Sequence, residues 1–302
     1  MSRSLAILLS AVLVAVATAQ QSDPGAPSAK PVPGFRSVDI GGRTLRYKCM
    51  GTGTPTVLIE PGGGVSLETV FSWDQSIGWA AIFPEVRKTT LTCVYDRAGL
   101  GRSDPAPMPR TSLDMARDLE ALLRAAAIPP PYVLAGQSLG GMNVRMFASL
   151  YPHQVAGAVL VDSSDPDTYP ELRKALPPPA PGESPFLAGW RNGPDLSHTR
   201  EWIDFEANGN LVRATQGFGD KPLIILTASP SWDDPFAPDE VEPIIDGVHQ
   251  RLQAELLKLS THSRQVVAQK AGHNIQADEP QLVIDAILDV VSQARAPKKS
   301  RD

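Results

Sequence analysis

Short apolar runs alternate with longer amphipathic stretches along most of this chain. Strands are predicted for seven apolar runs, at residues 44–49, 56–59, 91–95, 132–135, 156–161, 223–226 and 265–267. Helices are predicted where apolar residues recur at helical spacing, at residues 112–127, 241–259 and 281–291. Thr111 and Asp114 supply a capping-box start for the first of these helices. Strands that alternate with helices predict a mostly parallel sheet, with ligands bound at the carboxyl ends of its strands.

Residues 163–220 interrupt this alternation between two predicted strands. The segment is rich in proline, including Pro177, Pro178 and Pro179, and it carries Trp190 and Trp202. A structureless loop of this length is uncommon in a compact domain, so the segment either is disordered or folds as a unit. The aromatic side chains favour a lid over a site, and the alternative is a surface excursion without substrate contact.

The amino terminus has the pattern of a secretory signal. Arg3 precedes the apolar residues 5–17, and Ala-Thr-Ala at 17–19 forms a small-residue cleavage site. An uncleaved membrane anchor is the alternative, but the apolar run is short for a bilayer span. We therefore expect a signal at 1–19, a leader at 20–34, one α/β domain at 35–295 and a tail at 296–302. This organisation predicts a secreted or periplasmic protein without a stable membrane anchor after cleavage.

The charge of the chain argues against a nucleic-acid partner, and its two cysteines argue for a disulfide rather than a metal site. The formal net charge is -5, and removal of Arg3 with the signal leaves 27 basic against 33 acidic groups. No basic stripe offers phosphate neutralisation, so nucleic acid is not an expected partner. Cys49 and Cys93 do not have the spacing of a metal site, and in an exported protein a disulfide is more natural than two free thiols.

Ser138 is the candidate nucleophile. It stands in Gly136-Gln137-Ser138-Leu139-Gly140, which follows the apolar run 132–135 and opens a helix-like stretch. That is the context of a nucleophile elbow, a sharp strand-to-helix turn. The flanking glycines let strand and helix pack closely around a strained residue, which lifts its hydroxyl above the end of the sheet.

His273 is the candidate base, because it follows the final predicted strand within Ala271-Gly272-His273-Asn274. A loop at that edge would bring the imidazole to Ser138. The remaining histidines are His153 at a helix exit, His198 in the interrupting segment, His249 in a helical pattern and His262 before the last strand. The alternative for His273 is a loop residue without a catalytic role.

The glycine-rich loop at residues 61–64 follows the predicted strand that ends at Glu60. Backbone without side chains can aim an N–H at a developing oxyanion, and the candidate donors are the N–H groups of Gly63 and Leu139. A phosphate cradle is a weak alternative, because neither Lys-Ser/Thr nor a helix-opening G-x-G-x-x-G is present. Asp96 and Arg97 are expected to hold their own tight loop by hydrogen bonds rather than take part in chemistry.

Four motifs together resemble the α/β-hydrolase family, over roughly residues 35–293. They are Glu60-Pro61-Gly62-Gly63, Tyr95-Asp96-Arg97-Ala98-Gly99, Gly136-Gln137-Ser138-Leu139-Gly140-Gly141 and Gly272-His273-Asn274-Ile275-Gln276. The resemblance implies a mostly parallel eight-stranded sheet of order 1-2-4-3-5-6-7-8, with helices on both faces and a cap or lid inserted after strand six, at about 163–220. It also makes strands two and four neighbours, so Cys49 and Cys93 could lie within bridging distance. Pro61 departs from the family, in which His-Gly is frequent at this point.

The acid that would orient the base has two candidates. The commonest family position follows strand seven, where residues 227–231 contain no carboxylate and Asp233 and Asp234 come only further along. Asp162 ends the predicted strand 156–161, and some family members draw the acid from this position. We favour Asp162 and keep Asp234 as the alternative. A purely structural use of Asp162 would be to accept backbone N–H groups at the start of the insertion.

These residues predict a serine hydrolase that forms an acyl-enzyme on an ester, thioester or amide of a small to medium apolar acyl compound, with carboxylesterase activity favoured. We expect a small-molecule acyl substrate and no cofactor or metal. Serine at 138 argues against the dehalogenases and epoxide hydrolases of this fold, which use a carboxylate nucleophile. Carbon–carbon hydrolase and hydroxynitrile-lyase chemistry stay open. A non-catalytic binding module would be expected to lack Ser138 or His273.

Overall fold

A computed structural model of the chain describes residues 34–71, 78–183, 185–193, 197, 199–229 and 240–296. The strands are β1 Arg36–Asp39, β2 Thr44–Met50, β3 Thr56–Glu60, β4 Thr92–Tyr95, β5 Tyr132–Gln137, β6 Val155–Val161, β7 Gly219–Thr227 and β8 Ser260–Val267. The α-helices are α1 Leu67–Val70, α2 Trp79–Val86, α3 Ser112–Ala125, α4 Leu139–Leu150, α5 Thr168–Ala175, α6 Pro185–Asn192, α7 Phe205–Arg213, α8 Glu242–Glu255, α9 Ile275–Asp278 and α10 Pro280–Arg295. Short 3-10 helices are Pro152–Gln154 and Leu256–Leu259. The predicted signal at 1–19 lies outside the described residues.

The eight strands form one sheet of order β1-β2-β4-β3-β5-β6-β7-β8. β2 pairs antiparallel with β1 and with β4, and the remaining neighbours pair in parallel. The predicted fold and strand order are therefore confirmed. The sequence pattern missed β1, because that strand is short, polar and largely exposed.

Helices cover both faces of the sheet, so the central strands are buried on both sides and are continuously apolar. Successive residues of a strand point to opposite faces of the sheet. In β5, Leu134 belongs to the apolar cluster on one face and Ala135 to the cluster on the other. α3 and α4 pack on the first face, and α2 and α10 pack on the second. Helix α3 begins with the predicted capping box of Thr111 and Asp114. Among the described residues, no helix combines the length and the apolar character that a bilayer crossing needs.

Cys49 and Cys93 stand directly opposite each other on β2 and β4 and form a disulfide. Their Cα atoms are 4.1 Å apart, and 44 positions separate them in the sequence. The predicted bridge is thus present in the structure. It joins two antiparallel strands near one edge of the sheet, away from the strand ends that carry the candidate catalytic residues.

The segment between β6 and β7 is folded rather than extended, and it divides into two parts. Helices α5 and α6 pack with α8 through a small apolar cluster that includes Leu172 and Val248, with Trp190 against it. The second part is bonded to the body of the domain, because the carbonyl of Trp202 accepts the N–H of Arg110 at 2.8 Å. Helix α7 follows directly, so this part of the insertion is attached to the body of the domain.

Candidate active site

Ser138 occupies a strained turn between β5 and α4. Its φ is +54° and its ψ is -124°, a backbone conformation that residues other than glycine rarely adopt. Packing around the turn requires glycine, because a Cβ at Gly136 would overlap the carbonyl of Gly140. A Cβ at Gly140 would in turn overlap the carbonyl of Glu60. The glycines that flank the serine therefore allow the close strand-to-helix approach that holds Ser138 at the carboxyl end of the sheet.

Asp162 and His273 are brought together from different strands. Asp162 follows β6, is 2% exposed, and its Oδ2 lies 2.7 Å from Nδ1 of His273, in the loop after β8. A carboxylate can only accept, so Nδ1 of His273 is the donor and the neutral ring keeps Nε2 as an acceptor. Asp162 also accepts the N–H of Ala228 at 2.8 Å, which fixes its second oxygen. The alternative acid Asp234, like Asp233, lies outside the described residues.

A second histidine, His249 of α8, also binds the Asp162 carboxylate. Its Nε2 lies 2.9 Å from Oδ1 of Asp162. Burial alone would raise the pKa of Asp162, but the charge of His249 and the hydrogen bonds from His249 and His273 hold that pKa below its ordinary value. Burial lowers the pKa of His249, yet the charge and hydrogen bond of Asp162 outweigh it and raise that pKa, with a further contribution from Asp246. Sequence reasoning missed this contact, because the helical pattern around His249 carries no signal of a partner.

The hydroxyl of Ser138 lies beside the hydroxyl of Ser164. Its Oγ is 3.4 Å from Oγ of Ser164, and the structure shows no hydrogen bond from it to His273 among the described residues. The amide nitrogen of Gln137 lies 3.3 Å from Nε2 of His273 and 3.3 Å from the carbonyl oxygen of that residue. Serine–histidine hydrogen bonds commonly tighten only in the substrate complex, so this arrangement is compatible with a nucleophile and its base.

The candidate oxyanion donors lie next to this serine. The N–H of Leu139 belongs to the first residue of α4, where a helix leaves its backbone donors without internal partners. The N–H of Gly63 likewise has no hydrogen-bond acceptor among the residues that the structure describes. A Cβ built on Gly63 would lie 3.6 Å from Cδ2 of Leu139, so the loop packs against the start of α4. Two backbone donors near one hydroxyl can stabilise an oxyanion that forms on a bound carbonyl.

Asp96 holds its own loop by accepting the N–H of Arg102 at 3.4 Å, as predicted, whereas the prediction was wrong for Arg97, whose side chain bonds residues outside that loop. Asp96 accepts the N–H of Leu67 at 2.5 Å, and burial, as the largest cause, raises the pKa of its carboxyl to about 6. Arg97 donates to carbonyl oxygens of the glycine-rich loop at residues 61–64. The side chain therefore reaches beyond its own turn, a connection that local sequence does not reveal.

Two other histidines, His153 and His262, belong to elements outside this cluster. His262 lies within β8 rather than before it, because that strand begins earlier than predicted, at Ser260, and its Nδ1 is 2.8 Å from the carbonyl of Asp220. His153 belongs to the 3-10 helix after α4. His198 falls outside the described residues. Within the described part of the chain, no group of three or more His, Cys, Asp or Glu side chains is arranged to hold a metal ion.

Comparisons with known proteins agree with this architecture. The protein YqjL of Bacillus subtilis (strain 168), which is uncharacterized, is 27% identical over 247 residues that cover 80% of this chain and 85% of YqjL. A thermophilic esterase from Thermogutta terrifontis superposes with a TM-score of 0.54 at 22% identity, covering 87% of this chain and 99% of the esterase. A haloalkane dehalogenase variant from Bradyrhizobium elkanii gives a TM-score of 0.57 at 17% identity, covering 86% of this chain and 96% of that protein.

At these identities the solved structures are evidence for the fold alone, because one fold supports several reactions. The family model described as the α/β hydrolase fold matches residues 55–254, which is more than half of the chain. The match covers the glycine-rich loop, the elbow at Ser138 and Asp162. The chain belongs to the α/β-hydrolase family.

Proposed function

We propose that this protein is a serine hydrolase that cleaves an ester, thioester or amide of a small to medium apolar acyl compound, with carboxylesterase activity favoured. Family membership supports a hydrolase, and the residue at 138 argues against the reactions of this fold that need a carboxylate nucleophile. Dehalogenases and epoxide hydrolases of this fold use a carboxylate nucleophile, whereas this chain has a serine at the elbow. The single observation that carries the proposal is the 2.7 Å contact between Asp162 and His273, beside the strained Ser138.

The proposed reaction begins with attack of Ser138 Oγ on the substrate carbonyl carbon. Nε2 of His273 takes the hydroxyl proton, and Asp162 stabilises the imidazolium that forms. The N–H groups of Gly63 and Leu139 donate to the oxyanion of the tetrahedral intermediate. His273 then gives the proton to the leaving alcohol, thiol or amine as the carbonyl re-forms, which leaves an acyl ester on Ser138.

Deacylation repeats these steps with water as the nucleophile. His273 takes a proton from the water while its oxygen attacks the acyl carbonyl, and the proton then returns to Oγ of Ser138 as the acid product leaves. The reaction needs only groups that the chain supplies and water. Its rate depends on the Asp162–His273 contact in both halves, since the imidazolium forms twice.

A panel of p-nitrophenyl esters from acetate to laurate tests this proposal. We expect release of p-nitrophenol that is fastest with the shorter acyl chains and falls at least about 10⁴-fold in Ser138→Ala. If the wild type hydrolysed every ester no faster than Ser138→Ala does, esterase activity would be contradicted. Carbon–carbon hydrolase chemistry would instead give turnover of a 1,3-dicarbonyl compound without turnover of the esters.

We also propose that the protein acts outside the cytoplasm, as the signal pattern at 1–19 predicts. The Cys49–Cys93 disulfide supports this location, because such bonds persist in oxidising compartments. Expression with the native amino terminus, followed by mass analysis of the mature chain, tests the proposal. We expect a new amino terminus near Gln20, and a chain that retains residues 1–19 in the cytoplasm would contradict it.

A further inference from the structure

Arg97, in the loop after β4, holds the glycine-rich loop at residues 61–64. Its Nη1 donates to the carbonyl of Pro61 at 2.8 Å, and its Nη2 donates to the carbonyl of Gly62 at 2.6 Å. The side chain is 2% exposed, so these bonds form away from bulk water. A guanidinium is planar and presents its donors in a fixed fork, so it constrains two successive carbonyls at once.

This constraint sets the direction of the Gly63 N–H. In a trans peptide the carbonyl and the following N–H point in opposite directions, so a Gly62 carbonyl turned toward Arg97 leaves the Gly63 N–H turned away from it. The same peptide packs against the elbow, since a Cβ at Gly62 would lie 3.4 Å from Cβ of Ser138. Arg97 thereby orients one of the two candidate oxyanion donors.

Glu201, from the insertion between β6 and β7, completes the arrangement. It binds Nε of Arg97, its Oε2 lies 3.0 Å from Nη2 of Arg97, and the same oxygen accepts the N–H of Gly64 at 2.7 Å. Glu201 is 3% exposed. The carbonyl of its neighbour Trp202 accepts a hydrogen bond from the N–H of Arg110 in the body of the domain. Glu201 therefore belongs to the part of the insertion that is attached to that body.

A second carboxylate, Glu60 at the end of β3, binds the other side of the guanidinium. Its Oε1 accepts from Nη1 of Arg97 at 3.1 Å and from Asn143 at 2.8 Å. Burial lowers the pKa of Arg97, but the charge and hydrogen bonds of Glu201, followed by the charge of Glu60, raise it above its ordinary value. Burial raises the pKa of Glu60 against the opposing charge of Arg97. The guanidinium therefore stays charged where it meets the loop.

We propose that Arg97 and Glu201 are positioning residues that hold the Gly63 N–H in the geometry of an oxyanion donor. Through Glu201, the insertion becomes part of the support of the catalytic loop. Replacing a buried ion pair by apolar residues often costs little stability, so we assign this pair a role in fixing the geometry of the loop. The inference rests on the proposed function, because an oxyanion donor has a role only in a reaction that forms an oxyanion.

The test compares Glu201→Gln with the wild type on p-nitrophenyl acetate, with active sites counted by fluorophosphonate titration. We expect kcat per active site to fall about 10- to 100-fold while KM stays within about threefold, because a misaligned donor is lost mainly in the transition state. A trifluoromethyl ketone forms an oxyanion with the serine, so its Ki should rise by a similar factor. Glu201→Asp, which keeps the charge, should retain more activity than Glu201→Gln. If Glu201→Gln does not fold, Glu201→Asp is measured in its place.

Glu183→Gln is the matched control. Glu183 also pairs with an arginine of the insertion, Arg191, at 2.5 Å, but the structure shows no contact between it and residues 61–64. We expect this variant to keep kcat and Ki. A Glu201→Gln enzyme with unchanged kcat per active site and unchanged Ki would overturn the inference, even if its melting temperature falls. If Glu201→Gln does not fold, the same result for Glu201→Asp would overturn it, because that side chain is one methylene too short to keep its contacts with both Arg97 and Gly64. A wild type that neither hydrolyses the ester nor reacts with fluorophosphonate would instead overturn the proposed function.

Discussion

At the scale of single residues, Asp162 is the group on which the site depends, because both of its oxygens hold partners. Oδ2 contacts His273 at 2.7 Å, while Oδ1 is shared by His249 at 2.9 Å and the N–H of Ala228 at 2.8 Å. These contacts fix the carboxylate at its position beside the sheet edge. Because Nδ1 of His273 donates to this carboxylate, Nε2 keeps its lone pair, and the amide nitrogen of Gln137 lies 3.3 Å from it.

Replacing Asp162 by Asn should reduce kcat by up to about 10⁴-fold, because the base loses the partner that fixes its tautomer and stabilises its charge. The measurement is kcat on one activated ester for Asp162→Asn, Asp233→Asn and Asp234→Asn, with thermal unfolding checked for each. We expect Asp233→Asn and Asp234→Asn to stay within a few-fold of the wild type. If Asp234→Asn lost activity while Asp162→Asn kept it, the acid would be Asp234.

His249 should make stability depend on pH. Its pKa is raised in the folded protein, so its stabilising contribution is fully present below its unfolded pKa and is lost as the pH rises through the folded pKa. We expect His249→Gln to lower the free energy of unfolding by about 1.5–3 kcal/mol at acidic pH, the size of a hydrogen bond to a charged group, and by less under alkaline conditions. Urea unfolding from pH 5.5 to 9 measures this difference.

The control for this prediction is the same substitution in Asp162→Asn. Without the carboxylate, the effect of His249→Gln should lose its dependence on pH. A difference between His249→Gln and the wild type that is constant from pH 5.5 to 9 would show that the imidazole acts only through packing.

At the scale of elements, the elbow depends on the close approach of β5 and α4. A Cβ at Gly140 would overlap the carbonyl of Glu60 and lie 2.8 Å from that of Pro61, so backbone would have to move. We expect Gly140→Ala to destabilise the protein by about 1–3 kcal/mol and to reduce esterase activity. Gly247→Ala in α8 is the matched control, because a Cβ there meets nothing within 4 Å and should stabilise the helix by about 0.5–1 kcal/mol.

Equal melting temperatures for Gly140→Ala and Gly247→Ala would show that the elbow can relax around a side chain. In that case the close approach of strand and helix would not require glycine at position 140.

Local sequence was sufficient to predict most elements, because the spacing of apolar residues within a short segment distinguishes a strand from a helix. The elbow at Ser138 and the position of His273 after the last strand were likewise visible locally. The contact of His249 with Asp162 spans 87 residues, and that of Glu201 with Arg97 spans 104. Such pairs depend on how the insertion and α8 pack on the sheet, which no short stretch of sequence specifies.

At the scale of the whole molecule, the Cys49–Cys93 disulfide joins β2 to β4 and closes a loop over a sequence separation of 44 residues. On the chain-entropy model this loop stabilises the folded protein by roughly 3–4 kcal/mol. We expect Cys49→Ala/Cys93→Ala to lower the free energy of unfolding by about that amount while leaving kcat unchanged, since the bridge lies away from Ser138. Thiol titration of the unfolded, unreduced protein should find no reactive group, and two reactive thiols would exclude the bridge.

The central claim is that Ser138 forms the acyl-enzyme, and fluorophosphonate labelling tests it most directly. Peptide mapping by mass spectrometry should find one adduct per chain, on Ser138. The adduct should be absent from Ser138→Ala and still present on Ser138 in Ser164→Ala, although the two hydroxyl oxygens are 3.4 Å apart. An adduct on Ser164 or on any other residue, or ester hydrolysis that persists in Ser138→Ala, would contradict the account.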